Sequence, residues 1–255
     1  MALLEVSHVS IQFGGLRALS DFNFSLDQNE LAGLIGPNGA GKTTAFNIVT
    51  GMNCPTAGTI TLGGKNIAGE SPVAVNHAGI ARTFQNIRLF QNLTVLDNVA
   101  TGFHRSAEHG FLGTLLHSPK FLRQEASFGD QAMELLGTFG LAEQARALAG
   151  DLPYGHQRRL EIARALATRP KILMLDEPAA GMNPQEKLQL MELISLVREK
   201  FRVGIWLIEH DMNLVMSICQ RLTVLDHGET VAVGTPRQIQ DDPRVIEAYL
   251  GKAEV

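Results

Sequence analysis

Eight consecutive residues constrain this chain more than any other stretch. Gly36-Pro37-Asn38-Gly39-Ala40-Gly41-Lys42-Thr43 matches the phosphate-binding loop G-x-x-x-x-G-K-[ST] at every fixed position. Such a loop requires a strand before it and a helix after it. Glu30 to Ile35 (ELAGLI) is a short apolar run of buried-strand length, and Thr43 to Thr50 predicts a helix closed by Gly51. Gly36, Gly39 and Gly41 let the backbone fold closely around a phosphate, with Pro37, Asn38 and Ala40 completing the loop. Lys42 is placed to reach the β and γ phosphates, and the Thr43 hydroxyl to ligate Mg²⁺. Thr44 continues the first helical turn, whose N–H donors face an anion. A glycine-rich turn carrying an ordinary lysine needs no such flanks, so nucleoside triphosphate binding with Mg²⁺ is expected.

With 255 residues, 45% hydrophobic and 19% charged, the chain can bury one large core. Its 22 basic and 26 acidic residues and net charge of −4 provide none of the basic excess that follows a phosphate backbone. Nucleic acid is therefore not an expected partner. Cys54 and Cys219 make neither a disulfide framework nor metal-ligand spacing, which fits a reducing cytosol. The first residues, MALLEVSHVSIQF, alternate like a strand and lack a basic leader, and no run reaches about 18 apolar residues. Neither secretion nor a membrane span is expected.

Period-two alternation over Leu3 to Phe13 and Ser20 to Leu26 predicts two half-exposed strands joined at Gly14-Gly15. Phe13 could stack on an adenine ring, although an aromatic in a strand is more often core. Beyond the loop, Gly58 to Leu62 reads as a strand, Ser71-Pro72 as a helix start, and Ile80 to Phe84 as a strand with Gln85 at its end. From Asn86 to Ala149 the pattern turns helical: Thr94 caps one helix, with Asp97 three residues on, and Ser118-Pro119 opens another toward Phe139. This predicts an inserted helical subdomain. Asn86 to Phe111 is rich in Leu and Phe, part of it an expected docking surface. His104, His109 and His117 lack matched spacing and read as solvated or capping residues, not metal ligands.

Lys171 to Leu175 (KILML) reads as a buried strand ending in Asp176-Glu177. Beside a phosphate loop these acids suggest a division of labour, Asp176 in the Mg²⁺ shell and Glu177 polarising the attacking water. Without such a loop they would read as acids capping the next helix. Asn183-Pro184 opens a helix to about Lys200, Val203 to Ile208 is another buried strand, and His210 follows it. A lone histidine is usually structural, but this one stands at the ligand edge of an open α/β sheet and is a candidate γ-phosphate sensor. Arg221 to Leu225 and Glu229 to Val233 form a predicted hairpin through His227-Gly228, with helices from Thr235 and Pro243.

Tyr154-Gly155-His156-Gln157-Arg158-Arg159-Leu160-Glu161-Ile162-Ala163-Arg164-Ala165-Leu166, followed by ILMLDEP and IEHD, resembles the signature segment of ABC transporters over essentially the whole chain. The resemblance implies an α/β fold, a P-loop ABC-type nucleotide-binding domain with a RecA-like core sheet, an N-terminal antiparallel β layer and a helical subdomain at about 86–160, inserted within a single domain spanning 1–255. It implies two such chains sandwiching two ATP molecules, each between one phosphate loop and the other chain's signature, here Leu152, Tyr154, Gly155 and His156. By position, Phe13 stacks on adenine, Gln85 joins the Mg²⁺ shell and links nucleotide to membrane subunits, Asp176 holds Mg²⁺, Glu177 is the base and His210 the switch histidine. More narrowly, RTFQNIRLFQNLTVLDNV (82–99), YGHQRRLEIARAL and LDEPAAGMNP resemble the longer of the two ATPases of high-affinity branched-chain amino-acid importers. That implies a peripheral place on the cytoplasmic face of the cell membrane. The implied partners are integral-membrane permease subunits, a second homologous ATPase in a hetero- or homodimer, and indirectly a periplasmic solute-binding protein.

Two departures stand out. Where the family writes Leu-Ser-Gly-Gly-Gln, this chain has Leu152-Pro153-Tyr154-Gly155-His156, which removes the serine hydroxyl and a backbone donor and weakens the signature. Asn183 replaces the aspartate that usually ends the D-loop. Within the class, a urea or short-chain amide importer fits as well, since the solute never touches such a subunit. A soluble ABC ATPase acting on nucleic acid is opposed by the acidic balance and by the lack of a long heptad tract. A GTP switch is opposed by the absence of Asn-Lys-x-Asp after the loop.

Overall fold

The computed structural model describes residues 2–106 and 119–250. In chain order its elements are β1 (Leu4–Phe13), β2 (Leu16–Leu26), β3 (Leu31–Ile35), α1 (Lys42–Val49), β4 (Ala57–Leu62), β5 (Lys65–Asn66), α2 (Pro72–Ala78), β6 (Ile80–Arg82) and α3 (Val95–Phe103). Then come α4 (Pro119–Thr138), α5 (Tyr154–Ala167), β7 (Ile172–Asp176), α6 (Pro184–Phe201), β8 (Gly204–Ile208), α7 (Met212–Ile218), β9 (Arg221–Asp226), β10 (Glu229–Gly234), α8 (Pro236–Gln240) and α9 (Pro243–Leu250). They form two compact units, one running to Arg82 and resuming at Lys171, the other from Thr83 to Pro170.

The first unit holds both sheets. One has six strands in the order β10-β9-β3-β8-β7-β6, with β9, β3, β8, β7 and β6 parallel and β10 antiparallel at the edge. Every residue of β3, β7 and β8 is buried, which is why LAGLI, ILMLD and GIWLI are continuous apolar runs where a half-exposed strand would alternate. The other sheet is antiparallel, in the order β2-β1-β4-β5, and its strands alternate buried and exposed. Trp206 of β8 is fully buried, stacked on Phe24 of β2 at 4.1 Å and tilted against Phe46 of α1 at 4.7 Å. One aromatic cluster thus joins both sheets and the helix after the phosphate loop.

Two boundaries differ from expectation by more than one residue. β2 begins at Leu16, four residues before Ser20, because the hairpin ladder continues through Gln12↔Arg17 and Phe13↔Leu16. Leu16 and Arg17 are both exposed, so no alternation marks that end. β6 ends at Arg82, and Gln85 does not stand at a strand end. The ladder with β7 stops at Arg82↔Met174, and the Phe84 and Gln85 carbonyls accept hydrogen bonds from Arg158, not from a strand.

The second unit is helical. Thr94 accepts from the Asp97 amide and caps α3, while Phe103 of α3 stacks on Phe128 of α4 at 6.1 Å. His104 ends α3 and lies 3.1 Å from Glu125. His109, His117 and Ser118 lie outside the described residues.

Candidate functional site

The site of the first unit sits on one edge of the six-stranded sheet. β3, β8 and β7 are parallel neighbours, in register at Leu34↔Ile208 and Asp176↔Ile208, so the phosphate loop after β3, Glu177 after β7 and His210 after β8 leave the sheet on the same side. In parallel sheets that edge is where ligands bind.

The loop is shaped by what it must pass. At Gly36, with φ of 149°, an added Cβ would lie 2.0 Å from the Leu225 carbonyl oxygen of β9, so no side chain fits there. Lys42 is buried, and its Nζ donates to the carbonyls of Gly36 at 2.7 Å and Pro37 at 2.9 Å, tying the loop into a ring around the ammonium. Burial lowers the Lys42 pKa, and the negative charges of Glu177 and Asp176 oppose that shift, which places both acids within electrostatic reach of the loop lysine. Gly41 precedes α1 without any side-chain cap, leaving first-turn N–H groups available to an anion. Thr43 is exposed and Thr44 half-buried on that turn. Asn38, Gly39 and Ala40 line a cavity of about 810 Å³ with the β9–β10 turn and α9. Burial raises the pKa of the Tyr249 hydroxyl of α9, and the Gly36 amide opposes that shift.

Asp176, at the last position of β7, is buried and accepts from Arg82 of β6 at 2.6 Å. Arg82 also donates to Asn47 at 2.7 Å and lies over the Phe46 ring, so one guanidinium ties α1 to the acidic end of β7. Glu177 turns the chain off the strand in the left-handed region, φ 46°, its amide donating to Ile208 at 2.9 Å. The His210 ring nitrogen Nδ1 stands 3.7 Å from the Glu177 carboxylate, close enough to meet it through a small shift or one water. Behind them, Glu209 is buried and accepts from the Ala179 amide at 2.8 Å, and burial raises its pKa. Asp211 pairs with Lys187 at 2.9 Å. An Asp176 carboxylate and an exposed Thr43 hydroxyl are hard oxygen donors of the kind Mg²⁺ takes, so these residues fit that ion. Phe13 is about half exposed at the turn end of β1, paired with Leu16.

The remaining expected site residues belong to the second unit. Gln85 is exposed in the irregular segment after β6. Leu152 is buried and its carbonyl accepts from Gln157 at 2.8 Å; Pro153 precedes α5 with no side-chain cap, so the Tyr154, Gly155 and His156 amides open the helix uncapped. Tyr154 is exposed and Gly155 buried.

Arg82, Glu209 and Arg158 escaped the sequence reading. Glu209 and Arg158 are buried charges and the Arg82 side chain is 6% exposed, each beside a motif, and a lone charged residue within or just after an apolar strand was the available signal for Arg82 and Glu209. Arg158 and Glu161, three apart on one helix, would have read as an ordinary surface pair.

Comparison with known proteins bears on the family and the fold. A family model described as "ABC transporter" matches residues 19–180, and one described as "Branched-chain amino acid ATP-binding cassette transporter" matches 229–255. The chain is 47% identical over 251 residues to a high-affinity branched-chain amino acid transport ATP-binding protein, BraF, of Pseudomonas aeruginosa, covering 98% of each. It is equally similar, 47% with the same coverage, to LivG of Escherichia coli, named for the same transport. At 31% identity, covering 99% of this chain and 98% of its relative, it resembles the lipopolysaccharide export ATP-binding protein LptB of Haemophilus influenzae. A solved ATP-binding cassette of an ABC transporter, in its ADP conformation, superposes with a TM-score of 0.85 at 29% identity, covering 99% of this chain and all of that one. The chain belongs to the ABC transporter family, and its phosphate loop and two sheets are those of the family's ATP-binding cassette.

Proposed function

We propose that this chain binds ATP with Mg²⁺ on the sheet edge carrying Lys42, Asp176, Glu177 and His210, and hydrolyses it to power an importer of branched-chain amino acids. The convergence of these four groups on neighbouring strand ends is the observation that carries the reading. In it, the loop amides and Lys42 bind the phosphates, Phe13 covers the adenine, and Glu177 takes the proton of the attacking water. His210 sits beside Glu177 and donates toward the γ-phosphate. Thr43, Asp176 and Gln85 would hold Mg²⁺, which neutralises charge on the β and γ phosphates when bound. Leu152, Tyr154, Gly155 and His156 face the ATP of a second, homologous ATPase, since an uncapped helix start is an anion site.

The solute is that named for the 47% identical relatives. On this reading the subunit lies at the cytoplasmic face of the cell membrane, bound to permease subunits served by a periplasmic binding protein. No described helix is long and apolar enough to cross a membrane. The test is Lys42→Ala: ATP affinity of the purified chain is expected to collapse, because a buried polyanion loses its nearest cation. Unchanged affinity would contradict the site. Solute identity is read by binding of leucine, against urea or acetamide, to the partner periplasmic protein.

A further inference from the structure

The segment from Phe84 to Phe90 has no regular secondary structure, yet the main chain is gripped along its length by three side chains of one face of α5. Arg158, fully buried, donates to the Phe84 carbonyl at 2.6 Å through Nη1 and to the Gln85 carbonyl at 2.6 Å through Nη2. Its Nη1 also pairs with Glu161 at 2.7 Å, and the other Glu161 oxygen accepts from the Arg88 amide at 3.0 Å. One turn on, Arg164 donates to the Arg88 carbonyl and lies over the Phe90 ring at 5.1 Å. Asn98 of α3, also fully buried, closes the far end by exchanging bonds with the Phe90 amide and carbonyl, both 3.0 Å.

Taking an arginine and a glutamate out of water costs several kcal/mol per ion, and a helix that only had to pack would place apolar residues there. Here both terminal nitrogens of Arg158 and the second oxygen of Glu161 reach one loop, while Arg158 Nε is buried with no hydrogen-bond partner among the described residues. The planar fork of Arg158 fits two successive carbonyls, as a lysine could not. The same guanidinium stands 3.4 Å from the Tyr154 hydroxyl at the start of α5. Leu89 and Phe90, the latter about half exposed, are thus presented on a loop whose shape is set from the signature helix.

We propose that Arg158, Glu161 and Arg164 are positioning residues that lock the Gln85–Phe90 segment to the signature helix, so that the two move as one body and displacement of the signature reaches the half-buried Leu89 and the exposed Phe90. This rests on the reading of the chain as the ATPase of a membrane transporter.

The test uses the chain purified alone and together with its own membrane subunits, comparing wild type with the charge-free pair Arg158→Met plus Glu161→Met and with the conservative Glu161→Gln. In the double variant, hydrogen exchange over 84–90 should rise at least about tenfold while the α5 amides stay protected. ATP affinity of the isolated chain should be unchanged. Stimulation of ATPase by the membrane subunits should fall at least about fivefold, with Glu161→Gln retaining most of it. If the double variant does not fold, Arg164→Leu, which removes the Arg88 and Phe90 contacts and a charge near Glu161 but leaves the Arg158–Glu161 pair, should show the same two effects in smaller measure. Wild-type stimulation despite a mobilised segment, or a segment that stays protected, would overturn the proposal. Wild-type ATPase indifferent to the membrane subunits would instead sink the transporter reading on which it rests.

Discussion

A methyl group at Gly36 would lie 2.0 Å from the Leu225 carbonyl oxygen, whereas at Gly39 it would meet nothing within 4 Å. Both residues have positive φ, 149° and 83°, so left-handed strain of about 1–2 kcal/mol is common to both alanine variants. Gly36→Ala must in addition displace β9, and should lose about 3 kcal/mol or more. Chemical denaturation of the nucleotide-free chain checks this: Gly39→Ala should be clearly the more stable, and equal midpoints would mean that the loop does not press on β9. Glu209 makes a pH prediction. Its pKa is raised in the fold, so the folded state holds the proton more tightly, and this contribution to stability is full below the ordinary value of 4.5 and is lost as pH rises through the raised value. Unfolding measured from acid to neutral pH should show wild type losing ground to Glu209→Gln, which keeps an acceptor for the Ala179 amide and cannot ionise. Parallel profiles would remove the ionised Glu209 from the account.

Among the elements, α6 shows what a departure from a family pattern does locally. Asn183 accepts from the Glu186 amide at 2.9 Å while Glu186 accepts from the Asn183 amide at 3.0 Å, a reciprocal cap with Pro184 in the first turn. Asparagine and aspartate cap about equally well, so Asn183→Asp should leave the unfolding temperature nearly unchanged, while Asn183→Ala should cost about 1 kcal/mol. A larger drop for Asn183→Asp than for Asn183→Ala would rule the cap out as the reason for this residue. The elements that could be read from sequence are those whose signal is local. β3, β7 and β8 are apolar runs of strand length, and Ser71, Thr94, Asn183 and Thr235 each cap the helix they precede. β6 was overextended because Thr83 and Phe84 prolong its apolar alternation, and its end is decided by Arg158, 74 residues away from Phe84. Lys42 is legible from the loop pattern, and Asp176, Glu177 and His210 from standing at the ends of such runs. Arg82 and Glu209 act across 94 and 30 residues, and no periodicity records a partner at that distance.

For the whole molecule, an intact phosphate loop beside an altered signature predicts unequal work in a dimer with an unlike partner. Pro153 and His156 stand where a serine hydroxyl and a glutamine would serve the partner's ATP, and losing one preorganised donor typically costs about 10²-fold in rate. Lys42→Ala should therefore impair steady-state ATPase of the assembled transporter more than the matching lysine change in the partner. Equal effects would mean that the uncapped amides of Tyr154, Gly155 and His156 suffice and both sites fire. The claim beneath all of this is that Glu177, turned off the end of β7 toward His210, is the base for ATP hydrolysis. Single-turnover hydrolysis by the Glu177→Gln transporter, with ATP binding measured on the same preparation, tests it most directly. Binding should be intact and hydrolysis slower by at least about 10²-fold; hydrolysis at the wild-type rate would contradict it.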